Sequence, residues 1–138
     1  ITGNVFRAVN GAVDRIEKVD TTQAGFDHDR ARNVVVSGNI FHGVSQICMN
    51  PITLRHTQNT AAATWAVDAG DMLPFGGKAL TAVSVLPEGA LRDNGNTITY
   101  AAPYALAKTG SGDKQIELKW PEALRGTAVV TLRSDVPV

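Results

Sequence analysis

Two strings of apolar and polar residues, 35 positions apart, share one pattern. When residues 1–13 are laid over residues 36–48, both copies read apolar, small hydroxyl, glycine, asparagine, apolar, phenylalanine. The identical positions are Gly3 and Gly38, Asn4 and Asn39, Phe6 and Phe41, and Val9 and Val44. Self-similarity at a fixed spacing is the sequence signature of stacked repeat architectures. The pattern therefore predicts two stacked turns of one repeating structure.

Stacked parallel coils place equivalent side chains directly above one another, about 4.8 Å apart. An asparagine at the same corner of each coil donates its amide to the neighbouring coil and tolerates left-handed backbone, and a preceding glycine permits the bend. We therefore expect Asn4 and Asn39 to form a ladder, and Phe6 and Phe41 to stack. Residues 14–32 are polar and charged, which predicts a loop that projects from the coil.

The pattern changes after residue 56. Residues 57–63 are mostly small and polar, which predicts a linker. Five later segments alternate apolar with polar or small residues, as half-buried antiparallel strands do. These segments are residues 64–69, 78–86, 97–102, 115–120 and 127–133. Turn-forming residues at 93–96 and 110–113 predict tight hairpins, and residues 121–126 predict a longer connection.

The predicted fold class is all-β, with three parts. Residues 1–56 form the terminal coils with the loop at 14–32, residues 57–63 form the linker, and residues 64–138 form an antiparallel cap. We expect the cap to be a meander of about five strands with a small core and a sandwich-like shape.

The segment 33–43, with the sequence NVVVSGNIFHG, resembles coil segments of the pectate-lyase-like right-handed parallel β-helix proteins. The resemblance covers residues 1–56 and implies the last two coils of such a helix, followed by a cap over its strand edges. Phage tailspikes and related polysaccharide-active spikes are the relatives that it suggests. It therefore implies a homotrimer, a bacterial surface or extracellular polysaccharide as partner, and a location on a phage-like particle or outside the cell. Further coils with the Gly-Asn string are expected immediately before Ile1.

Composition excludes several other classes of function. Thirteen basic residues balance thirteen acidic ones, so the chain lacks the electrostatic footprint of a nucleic-acid-binding protein. Hydrophobic residues make up 43% of the chain and charged ones 19%, which is a core-forming composition. Apolar runs such as Val34-Val35-Val36 are far shorter than the roughly 18 residues that span a bilayer, so no membrane insertion is expected.

The most reactive-looking segment is Asp27-His28-Asp29-Arg30, which could bind an acidic sugar or supply an acid and a base. A solvated loop with local ion pairs is the simpler interpretation. In the later half Trp65, Tyr104 and Trp120 are candidate platforms for sugar rings, although the alternation fits both tryptophans equally well in a core. Cys48 is expected to be a small buried hydrophobe.

No cofactor or metal site is predicted, because the three histidines lie 14 residues apart, which is not a zinc spacing. No nucleophile elbow or phosphate-binding glycine loop is present. The pectate-lyase resemblance places no catalytic motif on this chain, so no catalytic residue is assigned.

Three functions fit these observations. The first is a non-catalytic C-terminal segment that caps and trimerises a β-helix spike and binds polysaccharide. The second is part of a polysaccharide lyase or glycoside hydrolase whose main catalytic residues lie upstream, with Asp27, Asp29 and Arg30 completing the groove. The third is a structural fibre or adhesin segment without a sugar site.

Overall fold

The computed structural model describes residues 1–20, 22 and 27–138, and over these residues the chain is all-β, as the sequence predicts. Seven strands run in the order β1 Val5–Arg7, β2 Ile40–His42, β3 Ile52–Asp68, β4 Thr81–Arg92, β5 Ile98–Thr99, β6 Tyr104–Thr109 and β7 Gln115–Arg133. The helical segments of this described part are single 3-10 turns at His28–Arg30, Gly70–Met72, Pro74–Gly76 and Ser111–Asp113. Among them there is no helix with the length and apolarity to cross a membrane.

Strands β1 and β2 pair in parallel, and their register is the 35-residue spacing of the repeat. Val5 lies opposite Ile40 and Phe6 lies opposite Phe41. The pairing extends backward to a bridge between Thr2 and Ser37. The predicted register is therefore present over the string itself. It is lost beyond the string, because Val13 then bridges to Val44, so Val13 and Cys48 are not equivalent positions.

The predicted loop between the two strings contains no strand in the residues described. Within it, residues 28–30 form a 3-10 turn, and the loop ends at an isolated parallel bridge between Arg32 and Val136. Residues 21 and 23–26 of the predicted loop lie outside the described residues.

All later strands of the described chain belong to one antiparallel sheet, in which β7 is central. β3 pairs along one side of β7, while β6 and β4 pair in succession along its other side. β5 extends the sheet beyond β4. The predicted meander is therefore wrong, because β3 pairs with the last strand. The sandwich-like shape of the cap stays a prediction.

The predicted linker at 57–63 is also wrong, because these residues lie inside β3. They pair with β7 through two register shifts: Gln58 opposes Gly126, Ala62 opposes Leu124, and Thr64 opposes Lys119. Small and polar residues fit such bulges, where pairing is irregular and side chains face solvent.

Residues 121–126 likewise continue β7 and do not form a separate connection. Pro121 has no N–H to give to a ladder. It lies where β7 changes partners, since pairing with β6 ends at Lys119 and pairing with β4 begins at Arg125. A proline is tolerated at such a break because no ladder bond is lost.

The predicted turns at 93–96 and 110–113 are confirmed. Asp93 accepts a hydrogen bond from the N–H of Thr97 at 2.8 Å through its side chain, and Asn96 has a left-handed backbone with φ of 67°. The second turn is built on the 3-10 turn Ser111–Asp113, between β6 and β7. Asparagine and glycine lower the energetic cost of a positive φ, which is why the sequence predicts these turns.

The hydrophobic core lies in the antiparallel sheet. Most alternate residues of β7 are buried, and so are a few residues at the two ends of β3; the core includes Trp65, Val67, Ile116, Leu118, Leu124, Val130 and Leu132. By contrast, the buried apolar side chains among the described residues before Ile52 are Val36 and Cys48. The coil segment, defined here as residues 1–51, therefore has little core of its own.

Candidate functional site

The stacked strings form an asparagine ladder at the corner before β1 and β2. The side-chain oxygen of Asn39 accepts hydrogen bonds from the main-chain N–H of Asn4 at 3.0 Å and from its side-chain amide at 3.3 Å. The side-chain amide of Asn39 donates to the carbonyl of Ile1 at 3.0 Å. The rings of Phe6 and Phe41 stack with centroids 5.6 Å apart and planes inclined by 17°.

Glycine is required at these corners for conformational reasons. Gly3 and Gly38 have φ angles of 66° and 63°, in the left-handed region that other residues rarely adopt. Main-chain bonds then tie the coils together, with Ser37 N–H donating to Ile1 at 3.1 Å and Ile40 N–H donating to Asn4 at 2.8 Å. The corner and the strand therefore form one continuous parallel stack.

The antiparallel sheet is joined to the second coil by a buried polar cluster, which we call the junction. Asp135 is fully buried and accepts from Arg133 Nε and from the Asn50 side-chain amide, both at 2.8 Å. Its other oxygen accepts from the Val34 N–H at 2.8 Å and from Arg133 Nη2 at 2.9 Å. The Asn50 side-chain oxygen accepts from the Ser134 N–H at 2.8 Å. The junction thus links residues about 100 positions apart in the sequence.

Burial alone raises the pKa of Asp135, but the hydrogen bonds from Arg133, Asn50 and Val34 outweigh it, so the pKa lies below its ordinary value. Asp135 is therefore ionised at neutral pH, and both oxygens of its carboxylate accept hydrogen bonds within the junction. Sequence reasoning missed the junction because its side chains come together only in the folded chain.

A second contact ties the loop to the sheet through Glu17, which is buried. Its carboxylate accepts from Arg15 Nε at 2.9 Å, from the N–H of Phe75 at 3.2 Å and from the Cys48 thiol at 3.2 Å. Arg15 also donates to the carbonyls of Asp71 and Leu73 at 2.7 and 3.0 Å. The apolar segment around Phe75 is therefore a contact surface for the coil segment.

Cys48 is buried at this contact. Burial, together with the neighbouring Glu17 carboxylate, raises the pKa of the Cys48 thiol to about 12. A thiol with this pKa is protonated at neutral pH and is a weak nucleophile. The expectation of a small buried residue at this position agrees with the structure.

The charged segment 27–30 is brought against the sheet, but its carboxylates do not form a pair. Asp27 accepts from the N–H of Asp29 at 2.9 Å and so begins the 3-10 turn. Asp29 instead faces Lys108 at 3.2 Å and Lys78 at 3.3 Å. These two lysines hold the pKa of Asp29 below its ordinary value. Arg30 is exposed.

His28 is half-buried beside the same cluster. Burial, and then the charge of Lys78, lower its pKa below the usual value. The segment therefore holds an ion-paired aspartate and a neutral imidazole at physiological pH. These side chains do not form an acid and base pair that could act on one substrate. Local ion pairs, the simpler interpretation from the sequence, describe this segment better than a catalytic site does.

Two of the three aromatic platforms proposed from sequence are unsuitable. Trp65 and Trp120 are both buried, and their rings pack with centroids 4.6 Å apart. Trp65 Nε1 donates to the carbonyls of Ala62 and Leu124 at 3.0 Å. Trp120 Nε1 has no hydrogen-bond partner among the described residues. Both prefer the core because their apolar area is large and they face inward on adjacent strands.

Among the described residues, the accessible aromatics are Tyr104, as predicted from sequence, and Tyr100, which sequence reasoning did not select. Tyr100 is 96% exposed and borders a groove of about 270 Å³. The groove opens where β4 shifts register between Glu88 and Arg92 and where β5 ends. Its lining consists of uncharged residues, namely Pro87, Gly89, Ala90, Leu91, Thr99, Tyr100 and Ala101.

No metal-binding group is found in the part of the chain that the structure describes, where no three His, Cys, Asp or Glu side chains converge. His42 is exposed on β2, and His56 contacts Gln58 at 3.2 Å.

Comparisons with known proteins give no match. No family model matches the chain, no curated protein matches it, and no solved structure matches it. The proposals below therefore rest on the geometry of the chain.

Proposed function

We propose that this chain is the C-terminal end of a right-handed parallel β-helix, and that its antiparallel sheet caps the last coil. The observation that carries the proposal is the in-register stack of two strings, with Asn39 bonded to Asn4 and Phe41 stacked on Phe6. A repeat unit that cannot bury its own hydrophobic face gains stability by stacking on neighbours.

The two coils differ in what covers them, which supports a cap at one end. The second coil is joined to the sheet through the junction, where Asn50 accepts from the Ser134 N–H and Asp135 accepts from the Val34 N–H, both at 2.8 Å. In the described residues, β1 pairs only with β2 and its other edge has no partner strand. An end that is covered on one side and open on the other suits the last turns of a solenoid.

A lateral partner is part of the proposal. Val5 and Ile40 lie on the face of the parallel pair opposite the stacked phenylalanines, and they are 62% and 54% exposed. Large apolar side chains exposed side by side on one sheet face are typical of an interaction surface. A homotrimer that packs this face fits the spike-like assembly suggested by the resemblance.

Polysaccharide binding is the second candidate function, and the observation that favours it is the groove beside Tyr100. A ring with nearly all of its surface exposed can stack on the apolar face of a sugar, and the uncharged lining suits a neutral glycan. The alternative of a lyase or hydrolase groove at 27–30 is less well supported, because Asp29 is bonded to two lysines.

A duplication tests the cap proposal. Inserting a second copy of residues 1–35 before Ile1 adds one repeat length with its Gly-Asn string. We expect the extended protein to unfold at a higher temperature, because the new coil pairs with the open edge of β1. The matched control carries the same duplication with alanine in place of the inserted asparagine and phenylalanine of the string. Equal melting temperatures for the extended and original proteins would contradict the proposal.

Glycan binding is tested separately by titrating neutral and acidic polysaccharides. We expect binding that Tyr100→Ala abolishes and Trp120→Phe leaves unchanged. Release of reducing or unsaturated ends would instead support the enzyme alternative, and silence on all glycans with a stable oligomer in light scattering would support the fibre alternative.

A further inference from the structure

The two equivalent asparagines make different hydrogen bonds. Asn39 donates its side-chain amide to the carbonyl of Ile1, in the coil before it. Asn4 occupies the same corner but donates to the carbonyl of Thr2, within its own coil, as well as to Asn39. The oxygen of Asn39 accepts two bonds from Asn4, whereas the oxygen of Asn4 has no donor among the described residues. The ladder is therefore complete on one side of Asn4 and open on the other.

The main-chain N–H groups of the two strings show the same difference between a paired and an open side. Ser37 and Ile40 donate their N–H groups to the carbonyls of Ile1 and Asn4, which precede β1. Shifted by one repeat of 35 residues, the corresponding donors are Thr2 and Val5, whose side of β1 has no partner strand in the described part. A parallel strand in the same register would accept from these two groups.

We propose that the open edge of β1 is a binding site for an extended strand that carries the sequence small hydroxyl, glycine, asparagine, apolar, phenylalanine. The incoming strand adds to the sheet in parallel, in continuity with the β1–β2 pairing. Its asparagine donates to the free oxygen of Asn4 and its phenylalanine stacks on Phe6. Strand addition gives affinity through the main chain, and the side chains at the corner give selectivity.

This inference rests on the proposed stacking of coils, and it specifies the strand sequence that the open edge of β1 recognises. A carboxamide can accept from one neighbour and donate to the other at the same time, whereas a carboxylate or a methyl group cannot. Asparagine in the incoming strand is therefore the residue that the edge selects.

The experiment uses isotope-labelled full-length protein and a synthetic peptide with the sequence of residues 33–47. Backbone amide shifts are followed while the peptide is raised to millimolar concentration. We expect shifts at Thr2, Asn4 and Val5, together with slower hydrogen exchange there. A peptide with Asn39→Ala is expected to bind about fivefold more weakly, since it loses the side-chain hydrogen bond to the oxygen of Asn4. The matched control peptide, with Asn33→Ala outside the string, should bind as the parent does.

A change on the protein side completes the test. Asn4→Ala should remove the preference between the parent and Asn39→Ala peptides, and Asn10→Ala at an exposed site should preserve it. Shifts confined to another surface, or equal affinity of the two peptides for the original protein, overturn the inference. Shifts at Thr2 and Val5 that depend on protein concentration without peptide also overturn it, because the occupant is then a second copy.

The two proposals fail in distinguishable ways. If the peptide binds selectively but the duplication does not stabilise the protein, the edge recognises a separate strand and the chain is not a solenoid end. If the duplication stabilises but the peptides bind equally, the coils stack without selecting asparagine.

Discussion

Replacing Asp135 with alanine should weaken the whole fold, because its carboxylate lies at the centre of the junction. The substitution removes the acceptor for four hydrogen bonds, from Arg133 twice, from Asn50 and from the Val34 N–H. The Arg133 guanidinium, which is only 16% exposed, is left without its counter-charge. Removing one partner of a buried ion pair typically costs about 3–5 kcal/mol.

That loss is a large share of the total stability, since domains of this size unfold with about 5–15 kcal/mol. Urea unfolding followed by tryptophan fluorescence measures it directly, because both tryptophans lie in the core of the sheet. The matched control is Glu88→Ala, which breaks the exposed ion pair with Arg55. We expect the control to change stability by less than about 1 kcal/mol. A loss at Asp135 no larger than the control would refute the role assigned to the junction.

The pH dependence of stability tests the charge of Asp135 separately. The pKa of folded Asp135 lies below its ordinary value of 3.8. Its contribution to stability is therefore complete above the unfolded pKa and is lost as the pH falls through the folded one. Asp135→Asn keeps the shape without the charge, so the stability difference between the two proteins should be largest near neutral pH and shrink below about pH 4. A difference that stays constant down to acid pH would contradict this assignment.

Three further predictions concern the ladder, the core and the thiol. Asn39→Ala should destabilise by about 1–2 kcal/mol, and Asn4→Ala by less, because the Asn39 side chain makes three hydrogen bonds to the preceding coil, whereas the Asn4 side chain makes one to the next coil and one within its own; hydrogen exchange of the β1 amides compares them, and equal effects would argue against the ladder. Trp65→Phe should cost about 1–3 kcal/mol more than Trp120→Phe in thermal unfolding, since only the Trp65 indole N–H is hydrogen-bonded. Cys48 should resist alkylation at pH 8 and react only as urea unfolds the protein, and rapid reaction of the native thiol would contradict its raised pKa.

The parallel pairing could be predicted because the information is local and repeated. Each string contains its own glycine and asparagine, and equal strings adopt equal backbone conformations. The hairpin turn at 93–96 could be predicted for the same reason, because its signal lies in the turn residues themselves. The register of the repeat fails at Val44, which matches Val9 in the sequence but bridges to Val13 in the structure.

The continuity of β3 and β7 could not be read from the sequence, because it depends on pairing between distant segments. Residues 57–63 have the composition of a loop, yet they extend β3 because β7 supplies a partner along that stretch. Pro121 predicts an interruption of the strand. In the structure β7 itself is continuous, and only its pairing with neighbouring strands is interrupted there. Strand propensity reports how a residue fits its neighbours, so it changes with the partner strand.

The coil segment and the sheet hold together by different kinds of interaction. The sheet has an apolar core built on two long strands, and the side chains that form this core are all hydrophobic. The coil segment has few buried apolar side chains, and its buried polar groups, Glu17 and Asn50, each bond to the later part of the chain. Its order therefore derives from the ladder on one side and the sheet on the other. The two ends of this segment therefore differ, because the second coil is bonded to the sheet at the junction, whereas β1 in the described residues pairs with β2 alone.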